Sequence, residues 1–173
     1  EAATLTLEER QRVVRACVEA AAGRVPIMAG AGGNDTAVAI ATSKAMAAAG
    51  ATHLLHVSPA YSKPPQRGII AHFRAIADAS PLPIVVYNVP GRTGSNIEAE
   101  TTLALAEHAN IVAVKEASGN LSQITQIIRH APAGFRTLSG DDGLTLAVIA
   151  GGGHGLISVV SNAVPAAMSR LCN

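Results

Sequence analysis

The sequence predicts an α/β fold in which parallel strands alternate with helices, and three observations support this prediction. Short runs rich in Val, Ile and Leu recur along the 173 residues, and a segment with helical spacing follows each run. Most runs are continuous rather than alternating, which is typical of strands covered by helices on both faces. Apolar residues make up 49% of the chain and charged residues 14%, as in an ordinary globular protein.

The elements begin with a helix that has no strand before it. Thr6 and Glu9 form a capping box at its start, and Gly23 ends it. Asp35 opens a second helix, which Gly50 closes. The pattern predicts six strands, over residues 25–29, 52–57, 84–87, 111–115, 135–138 and 156–159. Further helices are predicted over residues 66–79, 98–108, 121–130 and 144–150, and from about residue 165 onward.

Two common architectures have a parallel sheet with helices on its faces. A doubly wound sheet usually carries a G-x-G-x-x-G turn, and segment 30–35 lacks the third glycine. We therefore favour a (β/α)8 TIM barrel. Because a full barrel has eight strands and about 250 residues, we expect a partial barrel with about six parallel strands, the third to the eighth, and their helices.

Composition and charge exclude several classes of function. A formal net charge of +1 without a Lys/Arg run gives no footprint for nucleic acid, and no apolar stretch is long enough to span a membrane. Cys17 and Cys172 lie far apart on apolar segments, so we expect buried thiols and a cytoplasmic protein. His53 and His56 should face opposite sides of a strand, which argues against a shared metal. The expected partner is a small molecule.

The ends of the predicted strands carry polar residues, and reacting groups gather there in a barrel. Lys115 follows the apolar run 111–114, and a partly desolvated, neutral amine can form a Schiff base with a carbonyl compound. Tyr87 ends the preceding strand and could relay protons beside such an imine. The alternatives are a lysine that reaches solvent or pairs with Glu116, and a tyrosine on the barrel rim.

Arg92 follows a Pro-Gly turn just after the strand that Tyr87 ends. Its guanidinium suits a substrate carboxylate, which it can bind through two hydrogen bonds, and the alternative is a loop arginine exposed to solvent. A different class of function stays open at this point. Late loops of barrels often bind phosphate at helix N-termini, which would make the chain a non-catalytic phosphate-ligand-binding module.

Four motifs together resemble one enzyme family: Tyr-Asn-Val-Pro-Gly-Arg-Thr-Gly at 87–94, Val-Lys-Glu-Ala-Ser-Gly at 114–119, Leu-Ser-Gly-Asp-Asp at 138–142 and Gly-Gly-His-Gly-Leu-Ile-Ser at 152–158. The chain is similar to the dihydrodipicolinate synthase (4-hydroxy-tetrahydrodipicolinate synthase) family. The wider superfamily also holds N-acetylneuraminate lyase and keto-deoxy sugar-acid aldolases. In the synthases, the residue that matches Arg92 binds the carboxylate of the aldehyde substrate, whereas the lyases carry other residues there.

The resemblance implies a lyase of lysine and diaminopimelate biosynthesis that needs no metal or organic cofactor. Pyruvate would form an imine with Lys115, lose a methyl proton to give an enamine, attack L-aspartate semialdehyde and then cyclise, with Tyr87 relaying protons. Tyr61 matches a tyrosine that enters the neighbouring subunit's active site in a homotetramer, a dimer of dimers. Ile157 and Gly140 match positions whose backbone carbonyls face the bound substrate.

The resemblance also implies that residues 1–173 form a partial TIM-barrel catalytic domain that is inactive alone. The family carries a Gly-Thr-Thr-Gly-Glu motif after its second strand, and the chain begins at the matching Glu1, so the first two strands and the C-terminal helical extension are expected to be absent. Members that L-lysine inhibits carry a glutamate at the position of Val38 and an aromatic residue at that of Ala60. Asn34 matches, but we expect insensitivity to lysine.

Overall fold

One sheet of five parallel strands runs through the chain in the order β1 to β5. The computed structural model describes residues 2–173, apart from the side chain of Ala3, so the prediction about Glu1 lies outside the described residues. Each strand pairs in parallel with the next. The strands are Met28–Gly30 (β1), His53–Val57 (β2), Ile84–Asn88 (β3), Ile111–Glu116 (β4) and Arg136–Ser139 (β5).

Helices connect the strands, as the sequence predicts. They are Leu7–Ala21 (α1), Thr36–Ala48 (α2), Gln66–Ala79 (α3), Pro90–Thr93 (α4), Ala99–Ala106 (α5), Leu121–His130 (α6), Thr145–Ala150 (α7) and Pro165–Cys172 (α8). The capping box is present, because the Thr6 N–H donates to the Glu9 carboxylate at 2.8 Å and the Glu9 N–H donates to Thr6 Oγ1 at 3.3 Å. Asp35 caps α2 by accepting the Val38 N–H at 2.9 Å.

The predicted sixth strand, over residues 156–159, is reduced to a single parallel bridge between Leu156 and Ser139. The prediction of six strands is therefore corrected to five strands and one bridge. The reason is a contact that local pattern does not show: the carboxylate of Asp142 accepts the N–H groups of Val159 and Val160 at 3.0 and 3.3 Å. Val159 ends the predicted strand, so Asp142 takes an N–H group that a sheet ladder would have used, and the chain turns into a short 3₁₀ helix, Val160–Asn162, instead.

The first strand begins later than predicted. Residues 25–27 lie outside it, Val25 is 58% exposed, and only Met28–Gly30 pairs with β2. Pro26 lacks an N–H group and cannot join a ladder fully, which explains the late start. Because β1 pairs with β2 alone, it forms an edge of the sheet.

The main hydrophobic core lies between the sheet and helices α3, α5 and α6, where Phe73, Ile84 and Leu105 are fully buried. A smaller cluster joins α1 and α2 to the first two strands. Helix α1 buries less than its sequence predicts, because Val13 is 53% exposed and Cys17 is exposed as well. The expectation of buried thiols is therefore wrong for Cys17, and Cys172 is only half-buried. No helix among the described residues is long and apolar enough to cross a membrane.

Candidate active site

Side chains alternate between the two faces of the sheet, and this alternation determines which side chains can meet in the site. Val86 and Val114 belong to the main core, so Tyr87 and Lys115 point to the opposite face, which we call the inner face. Tyr87 lies opposite Lys115 in the register of β3 and β4. The sequence thus brings these two residues together at the carboxyl end of adjacent strands, where a parallel barrel carries its chemistry.

The Lys115 amine lies over the Tyr87 ring, with Nζ 4.2 Å from the ring centroid. Burial lowers the pKa of Lys115, the Asp142 carboxylate raises it and the Arg92 guanidinium lowers it, with a net shift downward. A lowered pKa increases the neutral fraction of the amine at a given pH. The amine is therefore poised to act as a nucleophile towards a carbonyl group.

Tyr87 keeps its proton in this environment. Burial raises the pKa of Tyr87, and the nearby Arg92 guanidinium opposes that shift only in part. A neutral phenol both donates and accepts a hydrogen bond, which is what a proton relay requires.

Arg92 lies on α4, a single helical turn that follows β3 directly. Pro90 stands at the first turn of α4, and Gly94 ends it in a left-handed conformation, with φ of 74° and its N–H on the Pro90 carbonyl at 2.9 Å. The side chain is exposed, and its charge acts on both Tyr87 and Lys115. Arg92 therefore lies at the same mouth of the sheet, free to receive an anionic group.

Gly140, which follows β5, lies beside Lys115 on the far side from Tyr87. A Cβ atom on Gly140 would lie 3.0 Å from Lys115 Cε and 2.8 Å from the Cβ of Ala117, so only glycine lets the lysine pass. The Ile157 N–H donates to the Ser139 carbonyl at 2.9 Å, which ties the segment after β5 to the same edge.

Tyr61 does not join this group within the described chain. Its side chain is 93% exposed, and its backbone has φ of 70°, in the left-handed region. Two contacts hold that conformation: the Tyr61 N–H donates to the Thr93 carbonyl at 3.0 Å, and the Ala60 N–H donates to Asn34 Oδ1 at 2.8 Å. A strained, exposed tyrosine that the surrounding chain fixes in place is typical of a functional position.

Glu116 does not pair with Lys115, which removes one alternative interpretation of the lysine. Its carboxylate lies on the helix side of the sheet, 1% exposed, and accepts hydrogen bonds from Asn88, Ser118 and Gln123. The alternation of side chains along β4 would have been enough to exclude the pair from sequence.

Asp142 is a site residue whose role the sequence does not reveal. Asp141 caps the turn by accepting the Gly143 N–H at 2.9 Å. Asp142 instead binds the segment that follows Ile157, through Ser158 Oγ and two backbone N–H groups. Hydrogen bonds, first that from Ser158, lower the pKa of Asp142, so it stays ionised near Lys115.

An open cleft of about 690 Å³ lies at this mouth, and Tyr87, Val89 and Arg92 contribute to its wall. The residues that the structure describes include no group of three His, Cys, Asp or Glu side chains that could hold a metal ion. Tyr87 and Arg92 line this cleft and the Lys115 amine lies over the Tyr87 ring, so a phenol, a guanidinium and an amine meet at this mouth.

The parallel sheet and these three groups define a (β/α)-barrel protein whose site can accept a carbonyl compound that carries a carboxylate. The comparisons with known proteins identify the family. The chain belongs to the dihydrodipicolinate synthetase family, whose model matches residues 1–173.

Relatives of known name agree with this assignment. The 4-hydroxy-tetrahydrodipicolinate synthase of Sphingopyxis alaskensis is 53% identical over 172 residues, which are 99% of this chain and 58% of that protein. A structure of the Acinetobacter baumannii synthase complexed with pyruvate matches 99% of this chain and 59% of its own, with TM-score 0.97 and 41% identity. The Cyanidioschyzon merolae synthase with lysine bound matches 98% of this chain and 58% of its own, with TM-score 0.94 and 49% identity.

These matches confirm the predicted partial barrel. The chain spans between half and two thirds of the length of the relatives it matches.

Proposed function

We propose that this chain carries the active site of a synthase that condenses pyruvate with L-aspartate semialdehyde to give 4-hydroxy-tetrahydrodipicolinate. The observation that carries the proposal is the Lys115 amine, partly buried on the inner face, 4.2 Å from the centre of the Tyr87 ring. Family membership and the likeness to a synthase complexed with pyruvate support the choice of the ketone.

The proposed reaction begins when the neutral amine of Lys115 attacks the ketone carbon of pyruvate. Water leaves and an iminium ion forms, with Tyr87 taking and returning the protons. Loss of a methyl proton gives an enamine, whose carbon forms a bond to the aldehyde carbon of L-aspartate semialdehyde. The amino group of that substrate then displaces Lys115 from the imine, which closes the ring and frees the lysine.

The remaining site residues bind substrate in this proposal. Arg92 pairs with the carboxylate of the aldehyde, because its exposed guanidinium lies at the mouth where that substrate must enter. The backbone carbonyls of Gly140 and Ile157 face the bound substrate. No cofactor is required, because the iminium ion itself withdraws the electrons that deprotonation of the methyl group releases.

We further propose that residues 1–173 correspond to the third to eighth units of the barrel, within one catalytic domain. Two observations support this proposal. Strand β1 is an edge beside the exposed side chains of Val13, Val25 and Met28, and the relatives are longer than this chain. Activity tests therefore use a completed barrel, in which the segments flanking the aligned region of the Sphingopyxis alaskensis synthase are joined to this chain.

The substrate is tested by measuring pyruvate consumption by the completed barrel with L-aspartate semialdehyde and, separately, with a sugar aldehyde. Consumption should require L-aspartate semialdehyde and Lys115. Lys44→Ala serves as the matched control for Lys115→Ala, because Lys44 is an exposed lysine on helix α2 and not at a strand end. Faster consumption with the sugar aldehyde would instead indicate a lyase or a keto-deoxy sugar-acid aldolase.

The proposed assembly is a homotetramer, a dimer of dimers, in which Tyr61 completes the relay of a neighbouring subunit. Its exposure and its fixed backbone support this role. Mixing Lys115→Ala with Tyr61→Phe tests it, because hybrids regain one complete site only if Tyr61 acts across the interface. No recovery after mixing, or sedimentation of an active monomer, would contradict the proposal.

A cytoplasmic location is proposed as well. Both cysteines are free, and no disulfide is needed to explain the fold. Cell fractionation with an antibody against the chain tests the location, and recovery outside the cytoplasmic fraction would contradict it.

A further inference from the structure

Glu116 is a buried carboxyl that the proposed reaction does not use. Its side chain is 1% exposed and forms no ion pair within residues 2–173 as described. Three donors surround it: Asn88 Nδ2 at 2.6 Å, Ser118 Oγ at 2.9 Å and Gln123 Nε2 at 3.2 Å. Burial raises its pKa, and these hydrogen bonds oppose that rise. Burying a carboxylate without a cation costs free energy that hydrogen bonds to its oxygens must offset, and the three donors provide those bonds.

Asn88 connects Glu116 to a closed network. Asn88 Nδ2 also lies 2.8 Å from Asn96 Oδ1, and Asn88 Oδ1 accepts the Ile97 N–H at 2.9 Å. Asn96 Nδ2 in turn donates to Gln123 Oε1 at 2.8 Å. We call Asn88, Asn96, Glu116 and Gln123 the amide–carboxylate clamp. It joins the ends of β3 and β4 to the segment before α5 and to the start of α6.

The clamp lies directly behind the reacting pair. In the register of β3 and β4, Tyr87 lies opposite Lys115 and Asn88 lies opposite Glu116. Successive residues of a strand face opposite sides of the sheet. The Asn88–Glu116 hydrogen bond therefore lies on the face opposite the Tyr87–Lys115 pair, and it joins the same two strands one residue further along. The pairing is irregular between residues 84 and 85, so the start of the two strands does not by itself fix the register at their ends.

We propose that Glu116 is a positioning residue that, through Asn88, fixes β3 against β4 and so holds the Lys115 amine over the Tyr87 ring. That this amine reacts with pyruvate rests on the proposed function. A carboxylate suits position 116 because all three neighbouring groups are donors, whereas an amide would turn its own N–H₂ towards one of them.

The test compares four variants of the completed barrel. Glu116→Gln sets an N–H₂ group against one of the three donors and Asn88→Asp sets two carboxylates against each other, so each weakens the clamp, and the double variant exchanges donor and acceptor between positions 88 and 116 while keeping one carboxylate. Thr137→Val is the matched control. Thr137 is fully buried on the same face of the neighbouring strand, and its hydroxyl makes no hydrogen bond in the described structure.

Two measurements are made on each variant. The first is kcat/KM for pyruvate, which should fall on the order of 10²-fold in each single variant and recover at least tenfold in the double variant. The second is the NMR shift of the Lys115 ε-CH₂ group in protein labelled with ε-¹³C-lysine, assigned through Lys115→Ala. The Tyr87 ring current should shift this signal upfield in the unsubstituted protein, in Thr137→Val and in the double variant, but not in either single variant.

An unchanged upfield signal and unchanged kcat/KM in Glu116→Gln would overturn the proposal. If Glu116→Gln does not fold, the double variant provides the test. A folded double variant without the upfield signal would also overturn the proposal. A failure of the proposed function is a separate result: pyruvate would then not react in any variant, while the NMR signal would still report on the clamp.

Discussion

Gly140→Ala is the substitution whose effect can be worked most directly from the structure. The new Cβ atom would lie 2.8 Å from the Cβ of Ala117, 3.0 Å from Lys115 Cε and 3.1 Å from Lys115 Cγ, whereas ordinary contact begins at about 3.4 Å. Ala117 has no rotamer to change, so either the backbone shifts or Lys115 leaves its place over Tyr87. Overpacking of this kind costs about 1–3 kcal/mol of folding free energy.

The consequence for reactivity should exceed the consequence for stability. A displacement of the amine by about 1 Å is enough to slow a reaction on the order of 10²-fold. The rate of pyruvate trapping by borohydride and the denaturant midpoint are measured on the same completed barrel. Gly33→Ala is the matched control, since nothing lies within 4 Å of a Cβ there. Trapping by Gly140→Ala at the control rate would refute the packing argument.

Further substitutions test the other site residues. Tyr87→Phe keeps the ring but removes the hydroxyl, so turnover should fall 10²-fold or more while Lys115 can still bind pyruvate; unchanged turnover would exclude a relay role. Arg92→Ala removes a cation that lowers the pKa of Lys115, so the midpoint of the pH–trapping profile should move to higher pH, and KM for the aldehyde should rise; a downward shift would contradict this. Val38 is 59% exposed and carries no charge to pair with the ammonium group of L-lysine. Compared with a glutamate at this position, valine should lower the affinity for L-lysine by about one to two orders of magnitude. An inhibition titration should therefore show insensitivity, with partial restoration in Val38→Glu/Ala60→Tyr, and half-inhibition at submillimolar lysine would refute it. The 173-residue chain alone should show no turnover because β1 is an open edge, and turnover equal to that of the completed barrel would be contrary.

Local signals predicted the helices well. The bounds of α3 and α6 match the sequence prediction, and the Thr6–Glu9 capping box forms as expected, because a cap depends on residues three apart. The prediction of a strand over residues 156–159 was wrong because the Asp142 carboxylate, about 17 residues away in the chain, accepts the Val159 N–H that a sheet ladder would have used. No local propensity reports such a contact.

The same distinction between local signals and contacts distant in the chain applies to the candidate site. The Lys115–Tyr87 pair follows from two strand ends in adjacent parallel strands, and the register then brings the side chains together. The clamp behind it was missed because the bond between Asn88 and Glu116 depends on that register, which is irregular at residues 84 and 85. The left-handed backbone of Tyr61 was missed because it depends on Thr93 and Asn34, far along the chain.

The central claim is that Lys115 forms an imine with pyruvate. Borohydride reduction of the completed barrel in the presence of pyruvate, followed by peptide mass analysis, tests it most directly. The chain has three lysines, Lys44, Lys63 and Lys115. We expect a reduced pyruvyl adduct on Lys115 alone, and none after Lys115→Ala. An adduct on Lys63 or Lys44, or stabilisation by phosphate with no adduct, would contradict the account.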